Sequence, residues 1–229
     1  MKIISSYGVE LRKQNIPVRQ TLEIYRSAVS YLIGIYVQIW EKLAEIPDAK
    51  RRFNAAEHLV HTTKKNHACF DFDIRFPKMP SYLRRSAIQH ALGTVSSYKT
   101  RLDLWEKTDG KSGKPRIVYE NHAMPVFYRD VMYREGAEGK DEAYLKLYDG
   151  HDWKWFCVRL NHTDMEYLRR KPLATSSFCF KYLNFNINGF SNLILLVKLN
   201  LQIFDEGIKN DSKNKRNFEV FSTATCTCI

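Results

Sequence analysis

Three groups of residues in this chain have types and spacings that could do chemistry. The first is a set of polar side chains, Arg84, Arg85, Gln89, His90, Ser96, Ser97, Lys99 and Arg101, that falls off the apolar stripe of one long predicted helix. Lys and Arg neutralise phosphates, and Arg and Gln can make two-pronged contacts to base edges. Arg84 and Arg85 lie in the first turn of that helix, where cations oppose the helix dipole. Such placement points to a role other than helix stability, with a plain solvated face as the competing reading. The second group is Trp153-Lys154-Trp155-Phe156, large rings around a cation. A surface of this kind can stack bases while holding a backbone. Alternation puts Trp153 and Trp155 on one face, expected to be packed, and Lys154 on the other as the better contact.

The third group is acidic and metal-binding residue types. Asp71 with Asp73, and Asp164 with Glu166, could hold magnesium or act as acid and base. Each pair has Arg or Lys close by in sequence and no convergent third carboxylate, so salt bridging is expected. His58, His61, His67 and Cys69 are near one another, but the chain has no Cys-x-x-Cys partner for a zinc site. Cys226-Thr-Cys228 is too tight for an ordinary ligand pair. Neither a metal site nor a cofactor is expected. A Gly-rich phosphate loop and a nucleophile motif are also missing, so no residue pattern makes the chain an enzyme.

The elements that must position these residues follow from periodicity. Residues 1–12 read as one strand. Pro17 suits a first helical turn, and Leu22, Tyr25, Val29, Leu32, Ile33, Tyr36, Trp40 and Leu43 then recur at helical spacing up to Pro47. A shorter helix is predicted over Asn54 to Thr63, and Asn66 to Pro80 reads as an ordered aromatic loop. With Ser81 as N-cap, Leu83, Ala87, Ile88, Leu92, Val95, Tyr98, Leu102 and Trp105 form the stripe of the long polar-faced helix, ended by the turn-forming run Thr108 to Pro115. Beyond it, Tyr144–Tyr148, Trp153–Leu160 and Val197–Ile203 read as strands, with Asp149-Gly150 as a hairpin turn. The order of strand, helices, strands defines an α+β fold. A small β-barrel with a helical insertion between its first and second strands gives that order.

Composition narrows the partners. Among 229 residues, 36 Lys and Arg stand against 25 Asp and Glu, a formal charge of +11. That balance attracts a polyanion, either nucleic acid or an anionic membrane. Beyond residue 170 only seven basic residues stand against four acidic ones, so the excess belongs to a folded surface rather than a basic arm. The longest aliphatic stretch in that region, Leu193 to Val197, is far short of the roughly 20 residues of a membrane span. Five scattered cysteines and no signal peptide fit a reducing cytoplasm.

Longer strings carry a resemblance. Phe76 to Lys99 (FPKMPSYLRRSAIQHALGTVSSYK), followed by Leu102 to Glu106, resembles the recognition-lobe helix of TnpB proteins, the OrfB-type proteins of insertion sequences. Ser6 to Asn15 is similar to their first strand. Met124 to Tyr128, Trp153 to Trp155 and Val158 to Leu168 are similar to later segments, up to about residue 170. The resemblance implies an oligonucleotide-binding-like wedge barrel split by a helical recognition lobe and followed by a RuvC nuclease. On that pattern residues 1–15 are the first wedge strand, 16–110 the recognition lobe, 111–172 the remaining wedge strands and 173–229 a divergent, irregular tail. The implied partners are guide RNA from the transposon end and target DNA, with base pairing reading the sequence.

By position, the resemblance assigns Arg84, Arg85 and Gln89 to DNA contact, and Lys99 and Arg101 to its phosphates. Lys154 and Arg159 are assigned to guide RNA. The last residues, Ser222 to Ile229, resemble the end of the first RuvC motif, which sets Asn217 where a catalytic Asp belongs and Glu219 where a Gly belongs. RuvC chemistry needs several carboxylates to hold two metal ions. The expectation is a truncated, transposase-related protein that binds RNA and DNA without cutting. A non-functional transposon remnant and a free-standing nucleic-acid-binding regulator remain the alternatives.

Overall fold

A computed structural model describes residues 2–11, 16–108, 113–119, 122–127, 130–169, 177–183 and 192–202. Asn217, Glu219 and the stretch Ser222 to Ile229, on which the RuvC comparison rests, lie outside them. The chain is a mixed helix-and-sheet protein of the α+β kind, with strand, then helices, then strands.

Strand β1 spans Lys2–Glu10 and helix α1 spans Val18–Ala44. All eight apolar residues of the predicted α1 stripe are buried. Helix α2, Ala49–Val60, starts five residues before its predicted position because the Asp48 side chain caps it, accepting from the Arg51 N–H at 2.7 Å. The aromatic loop after it contains one short helix, α3, Phe72–Arg75. Phe72 and Phe76 are buried there, their rings 4.9 Å apart.

Helix α4 spans Ser81–Lys107. Ser81 is its first helical residue rather than its cap; Pro80 takes the cap position in an extended conformation, and no side-chain cap bond forms. Leu83, Ala87, Ile88 and Val95 are buried, whereas Leu92, Tyr98, Leu102 and Trp105 are only half-buried. The Tyr25 hydroxyl meets Ser86 at 3.2 Å, and Glu41 meets Lys99 at 2.7 Å. The two 27-residue helices α1 and α4 therefore run parallel, and α2 with the loop after it carries the chain back between them. At 1.5 Å per residue each is about 40 Å long.

Strands β2 (Met124–Val126), β3 (Tyr133–Glu135), β4 (Glu142–Tyr148) and β5 (Trp153–Arg159) follow, then helix α5 (His162–Arg169) and strands β6 (Ser177–Leu183) and β7 (Asn192–Gln202). Among the described residues two antiparallel sheets form, one in the order β1-β7-β6-β2 and one in the order β3-β4-β5. β1 pairs along its whole length with β7, from Lys2 opposite Gln202 to Glu10 opposite Ile194. The segment expected to be an irregular tail with one strand at Val197–Ile203 thus supplies both central strands of the larger sheet, β7 over that expected strand and β6 where none is expected. Ser177–Leu183 alternates Phe178, Phe180 and Tyr182 with smaller or polar residues, a period-two pattern that favours a strand.

In the smaller sheet, Ala143, Leu145 and Leu147 of β4 are buried and share a face with Val158 and Phe156 of β5. Met165 and Leu168 of α5 join the same core. The β4–β5 turn spans four residues, Asp149 to Asp152, rather than two. Gly150 takes a φ of 101° there, a conformation that favours glycine. The Asp149 carboxylate accepts from the N–H groups of His151 and Asp152. Helix α1 is anchored to this sheet by Thr21: its buried hydroxyl accepts from the Tyr148 N–H and donates to the Pro17 carbonyl, both at 2.8 Å.

Candidate nucleic-acid interface

The polar face of α4 is largely tied to the rest of the fold. The Arg84 guanidinium lies 3.7 Å from one Glu57 carboxylate oxygen and the Arg85 guanidinium 3.7 Å from the other, so both join α4 to α2. Arg84 is buried, while Arg85 is exposed and lies over the Phe53 ring at 5.0 Å. Lys99 bridges to Glu41 of α1. Arg101 turns its Nε back to the Ser97 carbonyl of its own helix. Gln89 is exposed on the same helix. The expected DNA-contacting residues do lie on one helix, but Arg84 and Lys99 also serve helix–helix packing.

The predicted RNA contacts are engaged as well. The Lys154 ammonium sits 2.6 Å from Asp149, and Arg159 lies 3.8 Å from Glu142 across the β4–β5 ladder. The hydrogen bond from Lys154, with the backbone N–H groups of Asp152 and His151, holds the Asp149 carboxyl well below the usual carboxylate range. The same contact raises the Lys154 amine, so this pair stays charged at neutral pH.

Register reverses the expected roles of the two faces of β5. Lys154 stands opposite Leu147, a buried residue, while Trp155 stands opposite Lys146 and Trp153 opposite Tyr148. The tryptophans therefore belong to the outer face. Trp153 still packs against the edge of the core, as expected. Trp155 does something else. The Arg134 guanidinium of β3 lies 4.6 Å from the Trp155 ring centre and 4.9 Å from that of Tyr144. Arg134 is exposed, and Tyr144, Lys146 and Trp155 are half-buried beside it. Cys157, opposite Tyr144 on the same face, is an exposed thiol. This arrangement presents stacked π surfaces and two cations on one pleated face, which can hold bases and phosphates together. Sequence reasoning misses Arg134, Tyr144 and Lys146. The signal that could have found them is the alternation Tyr144, Lys146, Tyr148 facing Trp153, Trp155 across one turn.

Three of the four carboxylates named above, Asp71, Asp73 and Asp164, have polar partners nearby. Asp73 accepts from the Thr62 N–H at 2.8 Å and meets the His61 ring at 2.9 Å. Asp71 accepts from the Tyr31 hydroxyl, and Asp164 is approached by the Asn161 amide at 3.4 Å. Among the described residues, no group of three or more His, Cys, Asp and Glu is placed to hold a metal ion. Among those residues, too, no helix is long and apolar enough to cross a membrane.

The model of the Aq_aa04 family matches residues 5–149, from within β1 to the start of the β4–β5 turn, and the chain belongs to that family. No curated protein matches the chain. Family membership by itself specifies no chemistry.

Proposed function

We propose that the chain binds nucleic acid, as a TnpB-like protein that grips guide RNA and target DNA without cutting. The observation that carries this reading is the outer face of the β3-β4-β5 sheet, where Arg134 stacks on both Tyr144 and Trp155 with Lys146 alongside. In this reading the two sheets together are the wedge, an oligonucleotide-binding-like barrel, and α1 to α4 are the recognition insertion. Single-stranded RNA lies on the sheet face, its bases stacking on the rings and its phosphates meeting Arg134 and Lys146. Arg85, Gln89 and Arg101 on α4 contact DNA. The absence of cleavage rests on Asn217 standing where the resemblance sets a catalytic Asp.

Cys157 makes the reading directly testable, because it lies on the proposed face, whereas Cys69 is exposed in the loop between α2 and α3. Alkylation of each thiol would be followed by peptide mass analysis, with and without single-stranded RNA copied from a transposon end. RNA should slow modification of Cys157 several-fold and leave Cys69 unchanged. Binding measured by anisotropy should weaken steeply with salt and fall on Arg134→Ala or Trp155→Ala. No binding to RNA or DNA would leave the remnant reading instead.

A further inference from the structure

A hollow with mixed polar and apolar walls lies on the exposed side of α1. Its walls are Glu23, Arg26, Ser27, Ser30 and Tyr31 from α1, with Arg75 and Phe76 from the end of α3, around a volume of about 850 Å³. That is within the roughly 300–1,000 Å³ of small-ligand sites. The aromatic wall is well braced. Tyr31 packs on Phe72 and Phe76 at 6.3 and 5.9 Å, and its hydroxyl is held by Asp71. Over this wall the Arg75 guanidinium stacks 4.9 Å from the Tyr31 ring centre. Arg26, also in the lining, donates its Nε–H to the His122 carbonyl at 3.1 Å. Glu23, the carboxylate in the lining, is engaged by Arg19 at 2.8 Å.

We infer that this hollow binds one nucleotide unit, a flat base joined to a phosphate. The base lies against the Arg75–Tyr31 stack and the edge of Phe76, and the phosphate sits between the guanidinium groups of Arg26 and Arg75, with the Ser27 hydroxyl beside it. A planar guanidinium backed by an aromatic ring offers both a stacking surface and a cation, which an acidic side chain would use only in part. The unit could belong to a strand or be a free nucleotide, since the chemistry is shared.

The test uses the full chain carrying Arg134→Ala and Trp155→Ala, so that the sheet face does not contribute and the failure of either idea can be told apart. The fluorescence of 2-aminopurine is followed as the free riboside 5′-monophosphate and within a short single-stranded RNA. Quenching by either form is expected. Tighter binding of the RNA assigns the unit to a strand, and equal or exclusive binding of the monophosphate assigns it to a free nucleotide. Ser27→Glu, an exposed helical position, should weaken binding at least about tenfold by setting a carboxylate beside the phosphate, and Arg75→Ala should do the same, about 1.4 kcal/mol each. Circular dichroism verifies folding, and Arg75→Ala decides if Ser27→Glu unfolds. No quenching, unchanged binding in a folded variant, or competition by inorganic phosphate as strong as by the nucleotide would overturn the inference.

Discussion

Arg84 of α4 and Glu57 of α2 face each other at 3.7 Å with only 11% and 18% of their side chains exposed, and Arg85 reaches the second oxygen of the same carboxylate. This explains why two cations sit in the first turn of a helix whose dipole disfavours them. The unfavourable dipole contribution is typically about 0.3–1 kcal/mol, smaller than what is lost when one partner of a buried ion pair is removed. The placement is dictated by the neighbouring helix.

The two arginines should accordingly differ in stability measurements. Arg84→Ala removes the buried partner of Glu57 and leaves the carboxylate only the exposed Arg85, so it should cost about 2–3 kcal/mol. Arg85→Ala, at an exposed pair, should cost no more than about 1 kcal/mol. Urea titrations compare them, and equal losses would refute the assignment of Arg84 to the helix interface.

Thr21 predicts a second loss at the junction of α1 with the smaller sheet. Thr21→Val keeps the shape but leaves the Tyr148 N–H without its acceptor. A buried donor stranded in this way costs about 1–3 kcal/mol. Thr21→Ser should retain most of the stability. A valine variant that melts at the wild-type temperature would contradict this account.

Acid should weaken the fold through His122. Its ring is buried edge-on to His90 at 4.5 Å, and burial, the nearby His90 and the Arg26 cation push it down to about 4. His90 is shifted the same way by burial. A histidine depressed in the folded state binds its proton first in the unfolded chain. Stability is therefore full above about pH 6.5 and declines as pH falls toward 4, by on the order of 3 kcal/mol for His122. His122→Phe should flatten that slope in chemical denaturation run across pH 4 to 7.

The two faces of the β3-β4-β5 sheet should differ in binding. Lys146→Ala should lower RNA affinity more than Lys154→Ala, because Lys154 is already held by Asp149. The salt dependence should also become shallower by about 0.7 for each phosphate of single-stranded RNA that is no longer neutralised. If Lys154→Ala has the larger effect in anisotropy titrations, the cation on the inner side of β5 is the RNA contact and the outer-face reading is wrong.

The helices are legible in the sequence because each carries its own signal. The α1 stripe from Leu22 to Leu43 is buried as its spacing requires, and α4 runs from Ser81 through Trp105 as its stripe predicts. What local patterns do not encode is partnership. Nothing in the neighbourhood of Arg84 announces Glu57, 27 positions earlier, and nothing near Trp155 announces Arg134. The two faces of β5 can be separated by alternation, but which one meets the core depends on β4 opposite it. β7 is legible in the alternation from Val197 to Ile203, although the strand starts five residues earlier, at Asn192. β6 is harder to see, although the alternation within Ser177–Leu183 is itself a strand signal.

The pairing of β1 with β7 also has a consequence for how the protein is made. Residues 2–10 leave the ribosome well before residues 192–202, the strand that completes their hydrogen bonding. At about 5–20 residues per second, β1 must wait on the order of ten to forty seconds for its partner. During that interval it is an open edge able to pair with another nascent chain, while α1 to α4 can already pack. Synthesis rate and chaperone supply should therefore govern the soluble yield of this protein more strongly than the final stability of its helices.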